Sequence, residues 1–590
     1  MTYKEGHRGG GLWRRQWQTM QRTRWSFLCI VLLSMLASAS AQPLRISVFA
    51  AAGEVNKYML TPEGREKAAA IFNSFKVSKI FLEGRRGDQY VPPAVLREIR
   101  DDFRKRGFLV SGGIMYSAGK NWAVKTSARG GWLNFQAEKT QRDVAQYFTE
   151  NAAVFDELLV DDMFGTDDAS PESDRARGSR SWSEYRRDLL ATVIEPLMLK
   201  SARAVNPSVR LIIKYPQWYD WFHMMGYDPP RMSGLSDQTW VGTETRNPLT
   251  ASMGFVQPTE GYINYRWFSS IAGKKVAGAW FDHGDCTAQN YVDQAYQSVL
   301  AGSPELTVWS IETMMEGSHP GDPLLQKALP ELFELADKVH GRSIRGISYY
   351  KPAGSDGDGN LYLMDYLAMI GLPIVPEASY PAASRIAILG AQAASDPEVL
   401  AHMKQHLSRG ATLVLTPDLL HRLGKAATEM AGVHVLGQTR IGTADGVEIK
   451  GQQVSLTTPL EMDLGLEAPA GEVLISASSG DNRVPLLTSH KVGSGRILVL
   501  NVRTFSWGDG RGTWLLAPKE LGLQEIPQAL ADALRRELLA PLDIQLSSPT
   551  KVSFYVWGDA SVFYNFRDET VELVLNQKPV TLGPHRALWR

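Results

Sequence analysis

The amino-acid sequence predicts an α/β protein: an eight-stranded β/α barrel, then an α/β domain, then a small β-sandwich region. Three observations predict it. Between Leu44 and Glu316, eight short β-rich runs alternate with amphipathic helical stretches. A strand–helix–strand pattern follows around residues 385–416. From Val447 onward β-rich runs dominate, interrupted by one helical stretch near Ile526–Leu539. Buried strands alternating with crossover helices argue a parallel sheet, and eight such units argue closure into a barrel. An open doubly wound sheet is the alternative.

The N-terminal segment is expected to lie outside this fold. Arg14, Arg15, Arg22 and Arg24 precede the apolar run Phe27–Leu36, and Ala39-Ser40-Ala41 follows. This is the basic, apolar, small-residue order of a secretory signal. Residues 1–41 are therefore expected to be removed after Ala41, with Met20 as an alternative start. The apolar run is short for a membrane span, although an uncleaved anchor is the competing reading. The mature protein is expected to be secreted or periplasmic, with no membrane association. Of two cysteines, Cys29 falls in the signal and Cys286 stands alone, which leaves no intramolecular disulfide and no cysteine-rich metal site.

The eight runs are Leu44–Phe49, Lys79–Gly84, Phe108–Tyr116, Glu157–Met163, Arg210–Pro216, Thr239–Thr245, Val276–His283 and Leu306–Thr313. Stretches such as Pro93–Arg106 and Trp182–Val205 supply helices between them. The barrel is assigned to residues 42–324, the α/β domain to 325–442 and the mostly β region to 443–590. Gly354-Ser355-Asp356-Gly357-Asp358-Gly359-Asn360 resembles the start of a calcium loop. Leu361 stands where such a loop needs glycine and Leu367 where it needs glutamate, so a polar linker is the expectation.

The 63 basic side chains balance 63 acidic ones, without the basic excess of a nucleic-acid or acidic-membrane binder. Candidate chemistry stands at the strand ends, where barrels build their sites. These ends carry Glu83, then Asp161-Asp162, then Lys214-Tyr215 with Trp218, then Glu244 with Arg246, then Trp280, Asp282 and His283, then Glu312. One carboxylic acid to protonate a leaving oxygen and a second to attack or activate water is what glycosidic cleavage needs. Asp161, Asp162, Glu244 and Asp282 are the catalytic candidates, and only one of the adjacent aspartates can face the barrel axis. Glu83, Lys214, Tyr215, Trp218, Arg246, Trp280, His283 and Glu312 are the candidate substrate contacts. Aromatic faces can stack on sugars, and Lys214 or Arg246 can hold hydroxyls or a uronate. No cofactor and no resident metal is expected, and the expected partner is a carbohydrate. A non-catalytic carbohydrate-binding barrel and a metal-dependent hydrolase or polysaccharide lyase are the competing readings. There is no Gly-x-Ser-x-Gly elbow, phosphate loop or dinucleotide fingerprint at the strand ends.

The order of parts resembles three-domain glycoside hydrolases of the β-galactosidase type, which join a TIM barrel to an amidotransferase-like domain and a small β domain. Asn360–Leu367 and Arg385–Leu415 resemble that middle domain. The resemblance implies trimer contacts through it, and no amidotransferase activity, since the only mature cysteine lies in the barrel. The barrel departs from those enzymes: Asp161-Asp162 replaces their Asn-Glu pair, and Asp282 replaces their glutamate nucleophile. Phe155–Phe164, Ile213–Tyr219 and Val241–Pro248 are also similar to uncharacterised secreted bacterial barrel hydrolases. By analogy with α-galactosidase-like and α-glucosidase-like barrels, Asp162 is the expected nucleophile and Glu244 the acid/base. The competing pair joins Asp161 or Asp162 to Asp282.

Overall fold

The computed structural model describes residues 44–126, 132–161, 164–250, 256–355, 359–436, 442–462, 465–480, 482–503 and 522–590. The expected signal, Asp162 and Asp356–Asp358 lie outside the described residues. Leu44–Arg590 form one contact unit.

Eight parallel strands close into a barrel. They are β1 (Arg45–Ala50), β2 (Val77–Arg86), β3 (Leu109–Ile114), β4 (Glu157–Val160), β5 (Arg210–Tyr215), β6 (Gln238–Gly242), β7 (Val276–Asp282) and β8 (Glu305–Trp309). Each pairs in parallel with the next, and β8 returns to β1. All eight expected runs are strands, and closure excludes the open sheet.

Side-chain alternation sorts the interior into layers. The lowest layer is polar: Lys79 Nζ lies 2.6 Å from Glu157 Oε1 and 3.7 Å from Glu305 Oε1, while Arg210 and Arg45 close on the same glutamates from outside. Above it Phe49, Phe81, Leu159, Ile212, Trp240 and Trp280 form a dry plug. Phe49 and Trp280 have ring centroids 4.9 Å apart, and Phe81 meets Trp240 edge-on at 5.2 Å. Such wide rings fit because two neighbours have no side chain. A Cβ on Gly113 would sit 2.4 Å from the Phe49 ring, and one on Gly278 would sit 2.4 Å from Trp240.

Helix α1 (Asp322–Val339) packs on the barrel helix Ala288–Leu300, so the boundary expected at residue 324 falls inside a barrel helix. Asp322 opens α1 with both carboxylate oxygens buried and unbonded, and burial pushes its carboxyl up to about 6. A carboxyl raised in the folded state adds stability below the unfolded value near 4, and that stability is lost as pH rises through about 6. Asp322→Asn is therefore expected to raise the thermal midpoint at pH 7.5 and not at pH 4. Equal shifts at both pH values would remove the titration as the cause.

The second sheet has nine strands. Ile374–Glu377, Ile347–Tyr350, Ile386–Leu389, Thr412–Leu415 and Gly495–Leu500 run parallel, and Asn482–Val492, Glu472–Ser479, Gly442–Ile449 and Gln452–Met462 continue it as an antiparallel meander. The boundary expected at residue 442 therefore cuts through a sheet. A meander and an independent sandwich share the same β alternation, so the pattern after Val447 does not distinguish a new domain from a continued sheet. The C-terminal residues form two small antiparallel sheets, with Val552–Trp557 and Ala560–Asn565 at the centre of one and Val571–Leu575 and Lys578–Leu582 in the other. Polar contacts tie the barrel to the second sheet: Asp220 accepts from Tyr362 N–H at 2.8 Å and lies 3.3 Å from Lys351 Nζ, and Tyr219 donates to Asp365 at 3.0 Å.

Candidate active site

The third interior layer lies at the C-terminal ends of the strands, two residues above the aromatic plug. The same alternation that places Phe81, Leu159, Ile212 and Trp280 inward places Glu83, Asp161, Lys214 and Asp282 inward next; on β6 the position after Trp240 is Gly242, and the Glu244 carboxylate, from two residues past the strand end, fills the space a Gly242 side chain would take. Asp161 is thus the member of the adjacent pair whose axial position is described, and its N–H continues the ladder to Ile114 O at 2.9 Å.

These residues form an alternating chain of charge. Glu83 is fully enclosed. Its carboxylate accepts from Ala52 N–H at 2.7 Å, Arg86 Nε at 2.8 Å and Met115 N–H at 2.9 Å. Burial raises its carboxyl, opposed by the Arg86 charge. The other edge of Arg86 is 3.8 Å from Asp161 Oδ2. Lys214 Nζ stands between Asp161 Oδ1 at 3.5 Å and Glu244 Oε1 at 2.6 Å, with 1% of its side chain exposed. Arg246 then grips Asp282 in a two-point pair at 2.5 and 3.0 Å, and Gly284 N–H donates to Asp282 at 2.8 Å. Asp282 and Glu244 hold the Arg246 guanidinium more firmly charged than usual, against the cost of its burial.

The surrounding helices fix these strand ends. Asn264 donates to Pro216 O at 2.9 Å and Gly242 O at 3.0 Å, clamping the ends of β5 and β6. Gln294 donates to Asp282 O at 2.9 Å and Thr243 to Trp280 O at 3.0 Å. Side chains held this way lose little entropy when they meet a ligand.

The aromatic candidates separate. His283 stacks on Trp309 with centroids 6.1 Å apart, His319 lies 5.6 Å from His283, and the Arg86 guanidinium sits 5.5 Å from the Trp309 ring. Trp218 stacks on Trp132 at 5.9 Å. Three expected substrate contacts are placed elsewhere. Tyr215 points away from the axis into Phe222, Tyr227 and Phe268, because it alternates with Lys214. Trp280 belongs to the plug, with Lys214 Nζ 4.9 Å over its ring. Glu312 is half exposed in the first turn of Ile311–Glu316 and pairs with Lys57 at 3.0 Å. Lys214 and Arg246, expected to be able to hold a uronate, are instead engaged by Glu244 and Asp282.

Sequence reasoning passed over Glu54, Trp132 and His319 as site residues, and left Arg86 unassigned beside Glu83. Glu54 caps the helix Ala52–Tyr58 through Ala51 N–H at 2.8 Å, and burial raises its carboxyl. Its signal was available as a glutamate three residues into a helix that starts directly after a strand.

The fold and this charged strand-end layer define an eight-stranded β/α-barrel protein with a charged mouth, joined to an α/β sheet and a β cap. The chain belongs to the family described as probable glycosyl hydrolase, catalytic domain, whose model matches residues 34–328. Residues 341–505 match the second domain of uncharacterised protein SSO3021. SSO3021 itself, from Saccharolobus solfataricus, is 23% identical over 353 residues, covering 53% of this chain and 57% of that protein. The chain thus spans less than two thirds of that relative. Among solved structures, a GH42 β-galactosidase from G. stearothermophilus superposes with a TM-score of 0.65 at 10% identity, covering 93% of this chain and 98% of the other. An α-L-fucosidase from Paenibacillus thiaminolyticus gives 0.59 at 11% identity, covering 92% and 98%. At these identities the likeness is one of fold.

Proposed function

We propose that this protein is an exported glycoside hydrolase that cleaves an oligo- or polysaccharide with a carboxylate pair at the barrel mouth. The observation that carries the reading is the Asp161–Lys214–Glu244 bridge at the strand ends of a glycosyl hydrolase barrel. Glu244 supplies one member of the pair. One of the aspartates that follow β4 in the sequence, Asp161 or Asp162, supplies the other, and Asp282 orients the mouth through Arg246. The cations between the carboxylates keep opposite charges interleaved, so several acids can share one buried site. Trp309 and His283 offer the flat wall on which a sugar ring can lie.

Purified protein screened against nitrophenyl β-galactoside, β-mannoside, β-glucoside and α-L-fucoside, and against plant and microbial polysaccharides, tests the reading. Release of reducing sugar supports it, and a chelator-sensitive activity or an ultraviolet-absorbing unsaturated product would replace it by the metal or lyase reading. A second reading has its own observation: Glu244 and Asp282 are both held in buried ion pairs, as a non-catalytic carbohydrate-binding barrel would keep them. Saturable sugar binding without turnover would favour it. Export is read from a mature N-terminus at Gln42, and the trimer from the mass in solution.

A further inference from the structure

We infer that the enzyme carries a second carbohydrate subsite outside the catalytic layer, on the seam between the barrel and the C-terminal β region, and that its substrate is a neutral oligosaccharide long enough to reach it. This rests on the glycosidase reading above.

A cavity of about 400 Å³ opens there. That lies within the ~300–1,000 Å³ usual for small-molecule sites. Asn247, Gln289 and Asn290 line it from the barrel, and Lys551, Phe566 and Arg567 line it from the C-terminal region. Along the chain the wall begins one residue after the charged layer. Asn247 follows Arg246, the residue that grips Asp282, and Asn247 N–H donates to Asp285 O at 3.0 Å.

Each basic side chain on this wall has an acidic partner, and carboxylates outnumber them, with Asp293, Glu525, Asp568 and Glu569 facing Lys551, Arg567 and His585. Lys551 pairs with Glu525, Arg567 with Glu569 and His585 with Asp568. Among the described residues, Asn247, Gln289 and Asn290 are each engaged at one end of the amide only. Asn247 Oδ1 accepts from Leu249 N–H, Asn290 Oδ1 accepts from the Thr287 hydroxyl, and Gln289 Nε2 donates to Asp293. The two Asn Nδ2 groups and Gln289 Oε1, on residues that line the cavity, keep hydrogen-bonding capacity to spare. Paired charges with spare neutral donors and acceptors suit hydroxyl groups better than phosphate or carboxylate. Phe566, braced edge-on by Tyr564 at 4.8 Å, adds an apolar face for the C–H side of a sugar ring. The seam is rigid: buried Asp293 accepts from Tyr564 Oη at 2.6 Å and meets His585 Nδ1 at 3.2 Å.

The test uses full-length protein with di- to hexasaccharide ladders of β-1,4-linked galactose, mannose and glucose, beside the matching nitrophenyl monoglycosides. For wild type, kcat/KM is expected to climb with chain length. Phe566→Ala and Asn290→Ala are each expected to lower kcat/KM on the longest cleaved oligosaccharide by about tenfold, the equivalent of ~1.4 kcal/mol, with the monoglycoside rate unchanged. A loss equal on short and long substrates, or no loss on either, overturns the subsite and leaves the glycosidase reading standing. Cleavage of monoglycosides without any gain from length does the same. If neither ladders nor monoglycosides are cleaved, the glycosidase reading fails and the subsite with it. Unchanged thermal midpoints of the two variants separate these outcomes from misfolding.

Discussion

Glu244→Gln is expected to lower turnover on a cleaved glycoside by about 10²–10⁴-fold, the range of a lost acid/base or comparable catalytic carboxylate. The amide keeps the shape of the side chain and still accepts a hydrogen bond from Lys214, which also retains Asp161 at 3.5 Å. The fold should therefore survive, as circular dichroism and the thermal midpoint will show. Asp162→Asn should produce a loss of the same order if that residue is the partner, and Asp161→Asn if its neighbour is. Full activity in all three variants would remove the β4–β6 pair from the mechanism and shift attention to Asp282. Geometry adds a stereochemical expectation. Glu244 Oε1 and Asp161 Oδ1 share one ammonium, with arms of 2.6 and 3.5 Å. Those arms keep the nearest oxygens of the two carboxylates close on one cation, nearer the roughly 5–5.5 Å spacing of retaining enzymes than the wider gap, up to about 9.5 Å, in which inverting enzymes hold a water. Asp161 as partner therefore predicts retention, read by proton NMR on the first-formed anomer. Inversion would exclude Asp161 and leave the pairing to another carboxylate.

The barrel was legible because its interior repeats with period two. Lys79-x-Phe81-x-Glu83, Glu157-x-Leu159-x-Asp161 and Gly278-x-Trp280-x-Asp282 each climb from floor through plug to mouth on one strand face. Applied strictly, that period would also have removed two candidates: Tyr215 is out of phase with Lys214, and Trp280 stands one layer below Asp282. What the pattern could not supply is pairing between strands. The partner of Arg246 lies 36 residues away on β7, and that of Lys214 lies 30 residues away, just past the end of β6. Neither distance follows from local sequence, so cations that read as ligands for an acidic sugar are occupied by the protein's own acids. The domain boundary at 442 failed for a related reason. Gly495–Leu500 completes a parallel sheet begun at Ile347, and only long-range pairing shows it.

Lys214 carries the heaviest electrostatic responsibility in the mouth, and Lys214→Met is expected to be the most destabilising change there. Methionine keeps much of the apolar stem but removes the ammonium that lies 2.6 Å from Glu244 and 3.5 Å from Asp161. Both carboxylates are almost wholly withdrawn from water, at 2% and 4% exposure. Removing one partner of a buried ion pair costs about 3–5 kcal/mol, because the remaining charge stays desolvated. The cost comes mainly from the stranded charge and not from the lost contact, so it should be reversible in part. Adding Glu244→Gln to Lys214→Met replaces the stranded carboxylate by a neutral amide, and the double variant should melt above Lys214→Met alone. Thermal midpoints of wild type, both single variants and the double variant close the cycle. If the two losses simply add, Glu244 does not depend on Lys214 for its place in the site, and the bridge is a surface of contact without energetic consequence. If the double variant recovers, the lysine is what allows two acids to stand side by side in a dry barrel, which is the condition the proposed cleavage requires.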